Sequence, residues 1–255
     1  MSLIETEGLV LRCYNLSDAD KIVVALTEKE GLIRGTAKGA KRLKSKFGGS
    51  LEPFSIVRLV YLKKEEIELV SIRDIELLKS YFLSAANPDF LQKFSYIADL
   101  LYKFVPLYEP NKRIYNMSKI CLKTGANKFN DLNSIVLYFE YWILKLSGFL
   151  PSWEKCVKCG ENFSQEQEGK LQIDFNLMCD NCADNRAVQN ITNTERNLFD
   201  EISKTAPLKF INRSNSKEKE VFNLSEILKR IIAQVLDKES VGETKLKLLN
   251  VSINE

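Results

Sequence analysis

The feature that most constrains the fold is a change in hydrophobic periodicity near residue 75. From Leu3 to about Asp74, apolar and polar residues alternate over short runs, whereas from Ile75 onward apolar residues recur roughly every 3.6 positions. Alternation is typical of half-buried strands, and the longer period is typical of amphipathic helices. The sequence therefore predicts an α+β chain with more than one domain, in which the strands come first.

The strand-rich part, residues 1–78, is predicted to form a small barrel. Five antiparallel strands with almost no helix match the size and strand count of an oligonucleotide-binding (OB) fold. In the last strand the apolar positions change parity, from Ile67 and Leu69 to Val70 and Ile72. Such a change predicts a bulge or a strand covered on both faces.

Residues 79–255 are predicted to form a helical domain with an inserted metal-binding segment at about 150–186. Capping residues, prolines and glycines mark the helix boundaries. They predict helices that begin at Asn87–Pro88, at about Pro110, at about Asp131 and at the capping box Thr192–Glu195. Pro207 is expected to end the last of these, and residues 212–220 are expected to form an exposed loop before a final helix.

An aromatic stripe lies on the predicted third helix, and it comprises Tyr138, Phe139, Tyr141 and Trp142. Aromatic residues at helical spacing usually belong to a bundle core. We therefore favour a core role for them over a ligand-stacking role.

Composition excludes several classes of protein. The chain has no histidine, which excludes Ser-His-Asp and Cys-His catalytic systems and every histidine-containing zinc finger. It shows no signal peptide and no apolar run of about 18 residues, so we expect a cytoplasmic protein without a membrane span. The net charge is only +3, so any affinity for nucleic acid depends on where the charges lie.

Four of the six cysteines form two C-x-x-C pairs, Cys156 with Cys159 and Cys179 with Cys182, separated by 19 residues. This spacing is typical of a structural zinc site with four thiolate ligands, and Gly160 permits the positive φ of such a turn. A redox pair or two unrelated pairs are the alternatives. The sequence predicts one structural Zn²⁺, with Cys13 and Cys121 as core residues instead of ligands.

A basic segment follows the predicted third strand. It carries six positive charges, and no acidic residue lies between Glu30 and Glu52. Its cationic residues are Arg34, Lys38, Lys41, Arg42, Lys44 and Lys46. On a mobile, exposed edge these groups could follow a phosphate backbone, although a merely solvated lysine-rich edge is the alternative. Tyr14 and Phe47 are candidates for base stacking, although aromatic residues in strands are more often core residues.

Two groups of motifs carry a resemblance to a known family. The run GTAKGAKRLKSK at residues 35–46, followed by LEPF at 51–54, resembles the N-terminal domain of the RecO family of bacterial recombination mediators. The runs GFLP at 148–151 and CVKCG at 156–160 look like that family's helical region and zinc insertion. Their combination and order make the likeness specific, and it spans nearly the whole chain.

The resemblance implies a non-enzymatic, nucleoid-associated DNA repair protein. Such a protein binds single- and double-stranded DNA, anneals complementary strands, engages the C-terminal tail of single-strand binding protein, and works with RecR to load RecA. Carried over by motif, the DNA-contacting residues would be Lys38, Lys41, Arg42, Lys44 and Lys46, with Arg34 a weaker candidate. Lys229 and Arg230 on the final helix are candidate contacts for the tail.

The sequence departs from the family pattern in one respect, and two alternative functions are considered. The basic segment uses Lys where the family often has Arg, so its phosphate contacts would be less bidentate. The first rival is a zinc-containing RNA-binding factor of translation or ribosome assembly. The second is an enzyme acting on nucleic acid, against which the chain shows no P-loop, no G-x-G-x-x-G and no clustered carboxylate motif.

Overall fold

The computed structural model describes residues 2–63, 69–183 and 187–251. The chain divides into two compact units, Met1–Leu132 and Asn133–Glu255. The predicted domain boundary after residue 78 follows the change from strands to helices, and it stays a prediction.

The first unit begins with five strands that close on themselves in the order β1-β2-β3-β5-β4. Antiparallel pairing of β1 with β4 completes the closure, and β3 pairs with β5 in parallel. This confirms the predicted five-stranded, OB-like N-terminal part. The strands are β1 (Ser2–Asn15), β2 (Lys21–Thr27), β3 (Gly31–Ala37), β4 (Ser55–Lys63) and β5 (Leu69–Ser80).

The alternating residues of these strands form the barrel core. Its buried members include Val10, Val23, Ala25, Ile33, Ala37, Phe47, Leu51, Val57, Leu59, Tyr61, Val70, Ile72 and Ile75. Phe47, although it lies outside the strands, is only 1% exposed within this core. The hypothesis that Phe47 stacks against a base is therefore wrong, because its ring is buried.

The last strand differs from its prediction in length. β5 continues to Ser80 instead of ending near Asp74, because its backbone keeps pairing with β4 after its side chains become mostly exposed. The strand does contain bulges, but they lie further along than the predicted parity change. Register shifts against β4 leave Arg73 and Leu78 as extra residues on β5, and the first bulge moves the buried positions from Val70 and Ile72 to Ile75. Ile67, on which part of the parity change rests, lies outside the described residues.

Two helices pack in the first unit, α1 (Pro88–Phe104) and α2 (Lys112–Gly125). Asn87 caps α1 as predicted, and its side-chain oxygen accepts a hydrogen bond from the Phe90 amide at 3.0 Å. Phe90 and Phe94 stack with ring centroids 4.3 Å apart. A Cβ on Gly125 would come within 2.6 Å of the Phe94 ring, so this glycine allows the close approach.

Partly buried side-chain hydrogen bonds connect α2 to the barrel. The carboxylate of Glu7 on β1 accepts hydrogen bonds from the Tyr115 hydroxyl at 2.7 Å and from the Lys119 ammonium at 2.5 Å. Burial raises the pKa of Glu7, but these two bonds outweigh it and hold the pKa below its ordinary value.

The second unit consists mainly of helices. They are α3 (Leu132–Leu146), α4 (Asn193–Lys204), α5 (Pro207–Ser214) and α6 (Glu218–Val251), with the short strands β6 (Gly169–Leu171), β7 (Leu177–Met178) and β8 (Gln189–Ile191) between α3 and α4. The aromatic stripe of α3 is largely core, since Tyr138, Phe139 and Tyr141 are buried. Within the described residues, no helix combines the length and apolar character that crossing a bilayer requires.

Two boundary predictions in this unit were wrong. The capping box at Thr192 and Glu195 opens α4 as predicted, but α4 ends at Lys204, and Pro207 begins α5 instead of ending a helix. Proline suits the first turn of a helix because the amide it lacks has no partner there. The predicted loop at 212–220 is mostly helical, since α5 reaches Ser214 and α6 starts at Glu218. Most residues of this stretch are exposed at the end of α5 and the start of α6, so they show little hydrophobic periodicity.

Candidate metal centre and nucleic-acid interface

The four predicted metal ligands come together in the second unit. The Sγ atoms of Cys156, Cys159, Cys179 and Cys182 all lie within 4.8 Å of one another. Four thiolates around a tetrahedral Zn²⁺ stand about 3.8 Å apart, given Zn–S bonds of about 2.3 Å. The Cys159 and Cys179 sulfurs, at 3.9 Å, already match that separation. The cluster can therefore hold one metal ion.

The first cysteine pair sits on a tight turn held by backbone hydrogen bonds. The Gly160 amide donates to the Cys156 carbonyl at 2.9 Å, and Gly160 adopts a φ of +76° as predicted. The Val157 amide donates to the Leu177 carbonyl at 2.9 Å, which joins this turn to β7. The second pair forms a similar turn, in which the Cys182 amide donates to the Cys179 carbonyl at 3.0 Å.

The surroundings of Cys156 favour its thiolate, the form that binds metal. Its sulfur is buried and accepts a hydrogen bond from the Cys179 amide at 3.4 Å. Burial raises the pKa of the Cys156 thiol, but hydrogen bonds from backbone amides, among them those of Cys159 and Cys179, outweigh it and lower the pKa to about 6. The turn is thus prepared for a cation by its backbone as well as by its sulfurs.

The remaining two cysteines are separate from the cluster. Cys121 is fully buried in α2, and Cys13 packs against the barrel core while its thiol donates to the Leu51 carbonyl at 2.9 Å. Desolvation raises the pKa of each thiol to about 12. Both are therefore protonated core residues, as the sequence predicted.

The basic segment lies where β3 leaves the barrel. Five of its cationic side chains are exposed, namely Lys38, Lys41, Arg42, Lys44 and Lys46. Across the described ranges, no carboxylate lies within ion-pair distance of any of these five. Their charge is consequently not neutralised within this part of the chain.

The backbone of the basic segment is folded as a succession of turns. The amides of Arg42 and Ser45 donate to the carbonyls of Gly39 and Arg42 at 3.1 and 2.9 Å. The buried Phe47 ring then anchors the end of the segment in the barrel core. The segment therefore displays its cations from a defined backbone instead of from an open loop.

The turn between β1 and β2 supports the basic segment, which the sequence did not reveal. The Asp20 carboxylate accepts a hydrogen bond from the Gly39 amide at 2.8 Å, and the Ala19 carbonyl accepts one from the Lys41 amide at 3.0 Å. The Lys41 ammonium donates to the Ser17 carbonyl at 3.2 Å. The sequence gives no local signal for this role of Asp20, because its partner Gly39 lies 19 positions further along the chain.

Arg34 and the two tail candidates are less available than the five exposed cations. Arg34 is partly buried on β3, and its Nε atom has no hydrogen-bond partner among the described residues. On α6, the Lys229 ammonium pairs with the Glu226 carboxylate at 2.9 Å. Arg230 donates to the Gln189 side chain at 3.0 Å, with its guanidinium 6.0 Å from the Phe175 ring centroid.

In the described part of the chain, a closed OB-like barrel carries a basic segment without ion pairs and is followed by helices and a four-cysteine cluster; this combination defines a class of OB-fold proteins with a cationic surface. Comparison with family models makes the assignment specific. The model of the recombination protein O N-terminal part matches residues 1–81, and the model of its C-terminal part matches residues 94–244. The chain therefore belongs to the RecO family of DNA repair proteins.

Individual relatives support the same assignment, two of them over more than nine-tenths of this chain. The DNA repair protein RecO of Koribacter versatilis is 29% identical over 246 residues, which cover 96% of this chain and 99% of the relative. The DNA repair protein RecO of Clostridium novyi is 26% identical over 93% of this chain and 88% of its own length. That of Caldicellulosiruptor saccharolyticus is 30% identical over 62% of this chain and 64% of its own length.

Proposed function

We propose that this chain is a non-enzymatic mediator of DNA repair and homologous recombination. It binds single- and double-stranded DNA, promotes annealing, and with RecR helps to load RecA onto DNA coated with single-strand binding protein. It acts in the bacterial cytoplasm on nucleoid DNA. The observation that carries the DNA-binding part is the group of five exposed cations, Lys38, Lys41, Arg42, Lys44 and Lys46, held on turns beside the barrel.

The proposed mechanism is electrostatic. Cations that neutralise phosphates release condensed counterions, and this release supplies sequence-independent affinity. Lysine ammonium groups contact phosphates as point charges, so they leave the base edges of the strand free. Two strands whose phosphates are partly neutralised repel each other less, and their exposed bases can then pair. Annealing follows without any bond being formed or broken by the protein.

The metal in this proposal is one structural Zn²⁺ held by Cys156, Cys159, Cys179 and Cys182. The donor set supports zinc, because four thiolates in a tetrahedron suit this ion and leave no open position for a reacting water. Its role would be to hold the two cysteine turns together. A closed site of this kind also supports a function without catalysis.

The acidic tail of single-strand binding protein is proposed to contact Lys229 and Arg230. Both side chains are cationic and lie on consecutive positions of α6, although each already has a partner in the second unit. Titration of an acidic tail peptide into the Lys229→Ala/Arg230→Ala double variant tests this contact. Affinity equal to that of the unaltered protein would place the tail elsewhere.

The decisive test of DNA binding replaces Lys41, Arg42, Lys44 and Lys46 together by Ala. We expect weaker binding to both single-stranded and duplex DNA, and a log–log salt slope reduced by roughly 3 to 4 because four phosphate contacts are lost. Fluorescence anisotropy of a labelled oligonucleotide between about 50 and 200 mM salt measures both quantities. The melting temperature should stay near that of the unaltered protein, since all four side chains are exposed.

A matched control is the replacement of Lys217 and Lys219 by Ala, which removes lysines of the second unit near the start of α6. Its DNA affinity should be nearly unchanged. Unchanged affinity in the fourfold variant, or binding that is insensitive to salt, would contradict the proposal. Preferential competition by RNA over single-stranded DNA would instead favour an RNA-binding factor.

A further inference from the structure

One exposed aromatic side chain stands on the outer face of the barrel next to the basic segment. Tyr14, near the end of β1, pairs in register with Ile22 of β2, which in turn pairs with Thr36 of β3. Residues in register on neighbouring strands project to the same side of a sheet. Val23 and Cys13, the adjacent positions, point into the core. Tyr14, Ile22 and Thr36 therefore form one row on the outside.

This row is open to solvent at its β1 end. Tyr14 is 46% exposed, while Ile22 and Thr36 are partly buried. Exposure of a large ring on a sheet face leaves an apolar surface in water, which an aromatic base could cover. The next row on the outer face consists of Arg12, Val24 and Arg34. It is less accessible to solvent, because Val24 is buried.

The Tyr14 ring is held in place by its neighbour two positions away. The Arg12 guanidinium donates a hydrogen bond to the Tyr14 hydroxyl at 3.2 Å. Arg12 is itself fixed by an ion pair with Asp99 on α1, and it lies 5.3 Å from the ring centroid of Tyr102. A ring restrained in this way loses little conformational entropy when a ligand stacks on it.

The row leads directly into the basic segment. Thr36 is the last but one residue of β3, and the exposed Lys38 begins the turn that directly follows this strand. The turn that follows β1 contacts the segment through the Ser17 and Ala19 carbonyls. Two strand spacings separate Tyr14 from Thr36, a distance of about 10 Å. A short stretch of single-stranded DNA can span that distance with its phosphates on the cations.

We propose that Tyr14 is a stacking platform for an unpaired base, and that it gives this surface its preference for single-stranded over duplex DNA. The inference rests on the proposed function, because the cations must hold the backbone for the base to reach the ring. Bases within a duplex are stacked on one another and cannot cover Tyr14. The cations therefore serve both forms of DNA, while the ring serves only the single strand.

Two aromatic residues close to Tyr14 or within the basic segment, Phe47 and Tyr102, do not offer an equivalent platform. Phe47 is in the core, and the Lys46 ammonium lies 5.4 Å from its ring centroid. Tyr102 is 36% exposed, but the Arg12 guanidinium occupies one face of its ring. Leu43 is fully exposed within the basic segment, and its flexible side chain has no π face for stacking.

The test compares Tyr14→Ala with Tyr14→Phe. Base–aromatic stacking is worth about 1–3 kcal/mol per base, so Tyr14→Ala should bind an oligo-dT strand at least roughly fivefold more weakly. Its affinity for a duplex of equal length should change by less than about twofold. Tyr14→Phe keeps the ring and should bind single strands nearly as well as the unaltered protein. Phe222→Ala, which removes an exposed aromatic residue of the second unit, is the matched control.

An abasic strand provides a second readout. The unaltered protein should lose affinity for an oligomer of abasic deoxyribose phosphates by about the same factor that Tyr14→Ala loses on oligo-dT. Tyr14→Ala should bind the abasic strand almost as well as it binds oligo-dT, because removing either the ring or the base abolishes the same stacking contact. Equal losses by both proteins would show that the bases bind elsewhere and would overturn the inference.

The two proposals fail in distinguishable ways. If the unaltered protein binds no DNA, or the fourfold basic variant binds as well as it does, the proposed function fails. If the basic variant loses affinity for both forms of DNA but Tyr14→Ala retains its single-strand preference, only the role of Tyr14 fails. An equal loss of single-strand and duplex affinity in folded Tyr14→Ala would also contradict it, since stacking on an unpaired base cannot weaken duplex binding.

Discussion

The barrel and the cysteine segment, residues 150–186, reach their structures by different means. Long strands close the barrel around a continuous apolar core that includes Phe47, Leu59 and Tyr61. Among the described residues of the cysteine segment, 150–183, the strands are limited to β6 and β7, of three and two residues, and the four cysteines lie close together. Strands this short are marginal on their own, so a metal crosslink has more to contribute there.

The two regions should therefore respond differently to substitution. Burial of apolar area stabilises the barrel, and this contribution is spread over many side chains. A metal ion held by the four thiolates would stabilise the cysteine segment, and its contribution would be concentrated at a single point. The five exposed cations of the basic segment belong to the first unit and the four cysteines to the second, so removing the cations and removing a metal ion should have separable effects.

The largest expected effect is that of metal removal. Structural Zn²⁺ in small domains binds with about 10–16 kcal/mol of apparent free energy, most of it coupled to folding. Chelation, or the substitution Cys156→Ser, should therefore unfold the cysteine segment and leave the barrel folded. Hydrogen exchange measures this as loss of amide protection around Cys156 and Cys179, with protection of β1–β5 retained.

Cys121→Ala is the matched control for metal removal. It deletes a buried thiol outside the cluster, so the purified protein should keep one metal ion per chain. Protection of the cysteine turns that survives complete removal of the metal would show that the segment does not depend on it. Metal analysis of the same samples shows whether the metal was completely removed.

A smaller effect is expected from Phe47→Ala in the barrel. Deleting a fully buried phenylalanine costs about 3–5 kcal/mol through lost burial and the cavity left behind. Denaturant unfolding followed through the barrel should show this loss, while the metal content stays unchanged. Because Phe47 also anchors the basic segment, single-strand affinity should fall even in the folded variant.

Lys46→Ala alters the neighbouring exposed residue and serves as the control. Its side chain donates to the Arg73 carbonyl at the surface, so the stability of the barrel should change by no more than about 0.5 kcal/mol. If Phe47→Ala lowered the stability of the barrel no more than Lys46→Ala does, the barrel core would not depend on this ring.

The smallest expected effect concerns the helix that follows the cysteine segment. The Thr192 hydroxyl accepts a hydrogen bond from the Glu195 amide at 3.2 Å, and the Glu195 carboxylate accepts one from the Thr192 amide at 2.9 Å. Thr192→Ala removes one half of this capping box and should cost about 1 kcal/mol. Thermal unfolding measures the loss, and metal content should not change.

Thr192→Ser keeps the cap and should restore most of that stability. Release of the metal by Thr192→Ala would contradict the comparison, because it would mean that the cysteine segment relies on α4 instead of on its own ligands.

Local patterns predicted much of this molecule. The C-x-x-C spacing identified the four residues that come together, and the glycine after the first pair has the expected positive φ. Asn87 and the capping box at Thr192 marked helix starts correctly, because caps act within three residues of the backbone groups they satisfy. The misassigned Pro207 shows the limit, since a proline is compatible with both the end of one helix and the start of the next.

Sequence alone was sufficient to predict the order of the elements, the four cysteines that cluster and the concentration of positive charge, because each of these depends on neighbours along the chain. Only the tertiary structure decided that Phe47 is buried while Tyr14 is exposed, and that Asp20 holds the backbone of the basic segment. Periodicity marks the two faces of a strand, but which positions stay exposed to solvent depends on contacts between distant parts of the chain. Those contacts exist only once the barrel has closed.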